Sequence, residues 1–407
     1  MQASEKLRKK AEAALGKRAL FGEDIDLDEY EDAPRDRAPA DSLEELEEDI
    51  QETMLNAGVI PSAKGRSGSF LMMDNSMVHT SMIGPGVELM SLSAAMEKYP
   101  WVNEYAWNLV PVDADKYTAK SFLEQADGYF IRALAGQSVK LPVQTCLMMN
   151  KHNVSQYVHN IIIVEEGASL EVVTGCTTAR GIEKAIHLGI SEIYIKEGGS
   201  LSFSMIHNWA EQVGVRPRTV ISVGKNATFV NNYVVLRPVR SVQSFPTARL
   251  EGEGAVAKFN SIAIAHPGST LDLGSRAILS APRTGAEIIS RAITTGGTVY
   301  ARGHLVGEAP QIKAHLECKG LILKEEGVQI AIPELEARVP DVEMTHEAAV
   351  GKIAKDQVEY LMARGLDEEQ AVGMIVRGFL EGGIKGLPQN LKDEIDKAVS
   401  QTDIGGM

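Results

Sequence analysis

From about residue 126 to 340 the chain is written in short apolar or alternating runs rich in Val, Ile and Thr, each broken by Gly followed by small residues. The same shape recurs as VEEGASLEVV, IKEGGSLSFSMI, VGKNATFVNNYVV, EGEGAVAKFNSIAI, HPGSTLDLGSRAIL, TTGGTVYARGHLV and KEEGVQIAI. Glycines at or beside 167, 199, 224, 254, 268, 297 and 327 mark the turns, at intervals of mostly 26 to 32 residues with one of 14. Strands separated by Gly turns at a repeat of this size predict a parallel β-helix, in which each coil lays its strands on the coil before and buries one continuous apolar column. A Greek-key sandwich would want turns every ~8–12 residues and Asn-Gly or Asp-Gly hairpins. Neither a regular hairpin spacing nor any Asn-Gly pair occurs.

The flanks change texture. Residues 1–125 read as mixed and partly helical: 4–15 as a basic helix, and SLEELEEDIQETMLNAG as a second, opened by a capping box of Ser42 and Glu45 and closed at Gly58. Between them FGEDIDLDEYEDAPRDRAPA is acidic and Pro-bearing, the composition of a flexible connector. After Pro340 the pattern turns helical through 341–407. Asp367 and Gln370 form a capping box, and Val372, Ile375, Val376 and Phe379 follow the i, i+3, i+4, i+7 stripe; Gly382 and Gly383 end that helix, and Pro388 begins a last one.

The net charge of −14 is concentrated in residues 23–52, where fifteen Asp or Glu face only Arg35 and Arg37. Such a balance disfavours nonspecific contact with nucleic acid or anionic membrane. No run of ~18 apolar residues and no apolar signal centre occurs, which predicts a cytoplasmic protein without a membrane span. Cys146, Cys176 and Cys318 lie far apart without a CxxC, as expected of reduced thiols rather than a zinc module or a disulfide framework. Walker A, GxGxxG-helix, GxSxG and HExxH signatures are absent.

The candidate chemistry is therefore a matter of what the coils stack together. Cys318, in HLECKGLIL, lies 28 residues before His346, in VEMTHEAAVGK, and 28 residues is about one coil. Residues one coil apart stack, so Cys318 could approach His346 or Glu347. Thr345 reads as an N-cap that would put both in a first helical turn, where the carboxylate gains from the helix dipole and the imidazole does not. Thiolate, imidazole and carboxylate together suit iron. His152, His159, His207, His266, His304 and His315 show no i, i+4 pairing, and Trp209 and Lys225 read by default as a packed aromatic and a solvated turn residue.

THEAAVGKIAKDQVEYLMARGLDEEQAVGMIVRGF, NKHNVSQYVHNIIIVEEGASLEVVTGCTTA and GRSGSFLMMDNSMVH resemble the SufB/SufD family of iron–sulfur cluster assembly proteins through essentially the whole chain. The resemblance implies a right-handed β-helix flanked by helical regions, and a non-enzymatic SUF scaffold that builds a cluster and passes it to apo iron–sulfur proteins. A [4Fe-4S] cluster is among the types it could carry; flavin is the one further cofactor it raises, with no residue of the sequence pointing to it. It implies an ABC-type ATPase partner, SufC, gripping 345–400, and a homodimer through the end of the β-helix as a minimal system. Residue by residue, Cys318 matches the family's cluster-assembly cysteine, and His346 and Glu347 the imidazole and carboxylate placed with it. Cys176 looks like the sulfur acceptor, with Asn150, Trp209 and Lys225 matching residues of the sulfur route. Met148, His207 and Thr345 depart from the family pattern, which has Arg, Gln and an acid there. A β-helix enzyme acting on polysaccharide is the alternative, against which stands an aromatic content of 5%.

Overall fold

The computed structural model describes residues 2–62, 64–382, 392–393 and 395–397. It is mainly β, 45% strand and 19% helix, and its strands stack as a parallel β-solenoid of about 8 turns. The alternation in the sequence explains the architecture: each strand turns every second side chain into a shared interior.

One parallel sheet runs through Val143–Met149, Ser169–Thr178, Ser200–Asn208, Thr228–Val235, Val256–Ala265, Gly285–Thr294, Ile312–Ile322 and Val342–Gly351. The register gives the repeat directly, because Val143, Val172, Phe203, Asn231, Phe259, Ile288, Leu316 and His346 stack on one another. The facing sheet stacks Val154–Val164, Lys184–Ile195, Arg218–Val223, Thr247–Leu250, Thr270–Leu279, Thr298–Gly307 and Val328–Ala337 in parallel. Inward side chains from both sheets form the main core, which includes Cys176, Trp209, Tyr233 and Cys318. Left-handed turn residues such as Gly167 (φ 65°) and Gly198 (φ 66°) occupy successive corners, where a side chain would be strained.

The start of the solenoid is closed by an antiparallel hairpin, Gly68–Met73 with Ser76–Met82. The acidic stretch expected as a flexible connector is instead laid along the solenoid. Glu31–Asp32 pairs in parallel with Val154 and Ser155, and Ile25 and Tyr30 are buried. Its carboxylates meet bases of the coils and of the helix Lys116–Leu123: Glu23 reaches Arg240 at 2.5 Å, Glu29 Lys184 at 3.0 Å and Asp24 Lys116 at 2.7 Å. Apolar anchors interleaved with the acids thus outweigh the composition signal. The Ser42 cap serves only a short 3₁₀ turn, Leu43–Glu45, and the helix proper is Glu48–Asn56, with Gly58 (φ 75°) just beyond.

At the other end, residues expected to open a helix at Thr345 form the last strand, Val342–Gly351, paired over its whole length with Ile312–Ile322. The alternation of Val342, Met344, Ala348 and Val350 and a ready sheet edge prevail over the local N-cap signal. Helix begins at Lys355, and the capping box of Asp367 and Gln370 opens Glu368–Glu381. These helices fold back along the outer face of the first sheet, where Val358, Val372, Val376 and Leu380 pack on Ile206, Val234, Ile262, Ile289 and Ile293. The helix expected from Pro388 falls largely outside the described residues.

Candidate functional site: two thiols and the interior between them

Cys176 lies on Ser169–Thr178, points inward and is fully buried. Burial pushes its thiol well above the ordinary value, with neighbouring Cys146 adding to the effect. In the next coil His207 is its direct pairing partner. The Trp209 indole N–H donates to His207 Nδ1 at 2.7 Å, so the His207 proton sits on Nε2. Among the described residues that Nε2 is buried without a partner, as is the Tyr233 hydroxyl, and the two rings lie 4.6 Å apart. His187 stacks against Trp209 at 5.1 Å and donates from Nδ1 to Gln156 Oε1 at 2.8 Å. Burial lowers both His187 and His207 to about 3, so both imidazoles are neutral at physiological pH. Trp209 also lines an open cavity of about 870 Å³ with Glu52, Glu183, Glu211 and Arg237, and so separates solvent from His207.

The other two residues of this expected set lie at corners. Asn150 ends the first coil's strand, its backbone N–H donating to Asp74 at 2.7 Å. Lys225 is on an exposed turn, paired with Glu197 at 3.0 Å. Asn150 and Trp209 share the corner after the first sheet, whereas Lys225 is at the corner before it.

Cys318 points into the same interior five coils further on, buried beside Leu316. Burial pushes its thiol up to about 11, with Arg291 pulling the other way. One coil beyond, Ala348 stacks on Cys318, His346 on Leu316 and Glu347 on Glu317. His346 therefore shares the inward face with Cys318, whereas Glu347 is on the opposite face. Glu347 is exposed there and pairs with Lys319 at 3.2 Å, which pairs with Glu317 at 3.0 Å; Glu317 in turn meets Arg291. Among the described residues no group of three or more His, Cys, Asp and Glu is arranged to hold a metal ion.

The stacking also identifies residues that single-residue reading passes over. Tyr233 pairs with Ser261, Ser261 with Ser290, and Ser290 with Cys318, all turned inward. The adjacent column is small: Val235, Ala263, Ala292 and Gly320. A lane of hydroxyls beside a lane of small side chains thus runs inside the solenoid from Tyr233 to Cys318. Ser261 stays partly accessible despite facing inward. A spacing of one coil length was the sequence signal available for these serines, but it needs the strand register before it can be used.

No helix of the described residues is long and apolar enough to cross a membrane. Residues 147–379 match the profile of a family described as SUF system FeS cluster assembly, SufBD core domain. The chain is 44% identical over 97% of its length to an iron–sulfur cluster assembly SufBD family protein of Methanothermobacter thermautotrophicus, 98% of which is covered. It is 47% identical over 87% of its length to one of Archaeoglobus fulgidus, covering 95% of it. To the iron–sulfur cluster assembly protein SufB of Bacillus subtilis it is 30% identical over 88% of its length, covering 79% of that protein.

Proposed function

The chain belongs to the SufBD family of SUF-system iron–sulfur cluster assembly proteins, and from that premise we propose that it is the scaffold that receives sulfur at Cys176, carries it inside the solenoid to Cys318 and builds a cluster there. The inward lane of Tyr233, Ser261 and Ser290 between the two thiols is the observation that supports this reading most directly. The span is five strand spacings, about 24 Å at ~4.8 Å each. Sulfur enters by the groove over Trp209. The neutral Nε2–H of His207 and the Tyr233 hydroxyl, both without partners among the described residues, are suited to hold an anionic outer sulfur next to Cys176.

Iron and sulfide are the cargo, held at Cys318 with His346 on the same side. Glu347 faces away from its own chain's Cys318, so a cluster finished by carboxylate takes it from a second copy. The open last coil, with Leu335 at 39% and Val350 at 42% exposed, is the face that copy covers. A cluster finished by oxygen and nitrogen ligands is easier to hand on to an apo-protein than one held by four thiolates. The helix pair at 355–381 is the surface for an ABC-type ATPase of the SufC kind, whose movement opens the interface; Tyr360, Met362 and Met374 are its exposed apolar side chains.

Anaerobic reconstitution with ferrous iron and sulfide, reading iron and sulfide per chain, tests the assignment. Wild type should form a cluster that is lost in Cys318→Ala and destabilised in Glu347→Ala, and native mass spectrometry should find two chains. A cluster unaffected by both substitutions, or a monomeric loaded protein, would overturn it.

A further inference from the structure

On the outer face of the second sheet, away from both thiols, three arginines converge on a cavity of about 290 Å³ closed by the 19–21 segment and the loop before Asp115. Arg218 pairs with Asp115 at 2.7 Å. Arg249 and Arg276 have no acidic partner within ion-pair distance among the described residues. By contrast Arg302, just outside, is held by Asp272 at 2.6 Å. The cavity thus collects three cations and one carboxylate on a chain of net charge −14.

Its polar atoms are also left wanting. Among the described residues Arg218 Nη2, Arg276 Nε and Gln243 Oε1 are buried without a hydrogen-bond partner, and all three residues line this one cavity. A buried guanidinium donor without an acceptor is costly, and an anion is the ligand that would satisfy it. The register places Thr247 directly between Val220 and Arg276, so a hydroxyl and a guanidinium lie side by side on one outward column. The remaining wall is apolar. Phe21 and Phe245 meet edge-on at 5.8 Å, Arg276 stacks on Phe245 at 5.4 Å, and Leu109, Val110 and Ile278 complete it.

We propose that this cavity is a binding site for a small organic phosphate, its phosphoryl group on Arg218, Arg249 and Arg276 and its aromatic body on the Phe21–Phe245 wall. Arginine forks match phosphate oxygens geometrically, which a lysine patch would not do. The Gln243 carbonyl accepts a hydroxyl or amine of the ligand. At about 290 Å³ the space is at the lower end of small-ligand cavities, so it suits a mononucleotide and is too small for a dinucleotide. The site is independent of the sulfur lane and of the proposed scaffold function.

The test uses the full chain with AMP and inorganic phosphate as probes in isothermal titration, with sulfate as the ionic control. AMP should bind one per chain, more tightly than phosphate. Arg249→Gln, a partly exposed side chain without an ion pair, should weaken it about tenfold or more. Thr247→Phe, which fills the cavity from its floor, should abolish binding, and unchanged thermal unfolding of Arg249→Gln would separate lost contact from lost fold. No AMP binding at millimolar concentration, equal binding by Arg249→Gln, or AMP binding no tighter than phosphate or sulfate would overturn the proposal.

Discussion

Substituting Ser261 by Leu places a branched apolar side chain in the middle of the proposed route while leaving both thiols intact. Ser261 stacks between Tyr233 and Ser290, two coils before Cys318, with Ala263 of the neighbouring small lane on the same inward face. Overpacking an interior of this kind costs about 1–3 kcal/mol, a loss that stacked coils sharing one continuous core should tolerate. The expected effect on transport is much larger, because Cys176 and Cys318 are about 24 Å apart by strand spacing. The outer sulfur stays bonded to Cys176 until a sulfide from the polysulfide pool attacks it, frees the Cys176 thiolate and carries it off as a small disulfide anion. That anion needs an open lane to reach Cys318, where the thiolate takes the sulfur and sulfide leaves. The assay loads the protein with inorganic polysulfide and follows persulfide on each thiol by peptide mass spectrometry. In wild type the label should appear on Cys176 and then on Cys318. In Ser261→Leu it should accumulate on Cys176 and fail to reach Cys318, whereas reconstitution with free sulfide and iron should proceed normally. Equal labelling of Cys318 in both proteins, with Ser261→Leu folded, would refute the internal route.

Three further outcomes follow from the same geometry. With its thiol pushed up to about 11 by burial, Cys318 should be alkylated by iodoacetamide at a rate that keeps rising tenfold per pH unit above pH 9, and Arg291→Gln should push the profile higher still; a plateau near the ordinary thiol value of ~8.5 would contradict this. His187 and His207, lowered by burial to about 3, bind fewer protons folded than unfolded, so stability should be full above the ordinary imidazole range near ~6.5 and fall as pH drops toward 3; urea midpoints at pH 7 and pH 5 should differ, and His207→Gln should shrink the difference. Leu380→Ala, at a fully buried contact of the folded-back helix, should cost about 2–5 kcal/mol and raise hydrogen exchange in 355–381 while leaving the strands protected, and uniform exchange across the chain would argue against a separable helix pair.

The solenoid was legible because its signal is repetitive: Gly corners and alternating strands recur on every coil, so many weak local signals agree. The ends were less legible because each depends on tertiary contacts that occur once and are not repeated from coil to coil. The acidic stretch at 21–40 looked flexible by composition, yet Ile25 and Tyr30 are buried and Lys116, Lys184 and Arg240 receive its carboxylates. Thr345 looked like a helix start because propensity is local, whereas the exposed edge of Ile312–Ile322 extends the ladder by ten residues. Cys318 could be singled out from its one-coil spacing to His346, and Cys176 and Trp209 from the family resemblance alone. Tyr233, Ser261 and Ser290 could not, since a serine on a strand carries no signal until the register sets it over another.

The error at Thr345 has a chemical consequence. In a first helical turn, His346 and Glu347 would lie about 100° apart and could both lean toward one ion, whereas on a strand adjacent residues point to opposite faces. The strand therefore divides the pair: His346 stays on the Cys318 side, and Glu347 joins Lys319, Glu317 and Arg291 outside. A single chain offers Cys318 an imidazole but no carboxylate from that strand. If Glu347 takes part in holding iron, it does so for another chain, and its ion pair with Lys319 must open first. Lys319→Met removes that competitor without touching the inward face. It should strengthen iron retention in a dimer that shares the site and leave iron retention unchanged in a chain that assembles its cluster alone, so the two arrangements are separated by one substitution.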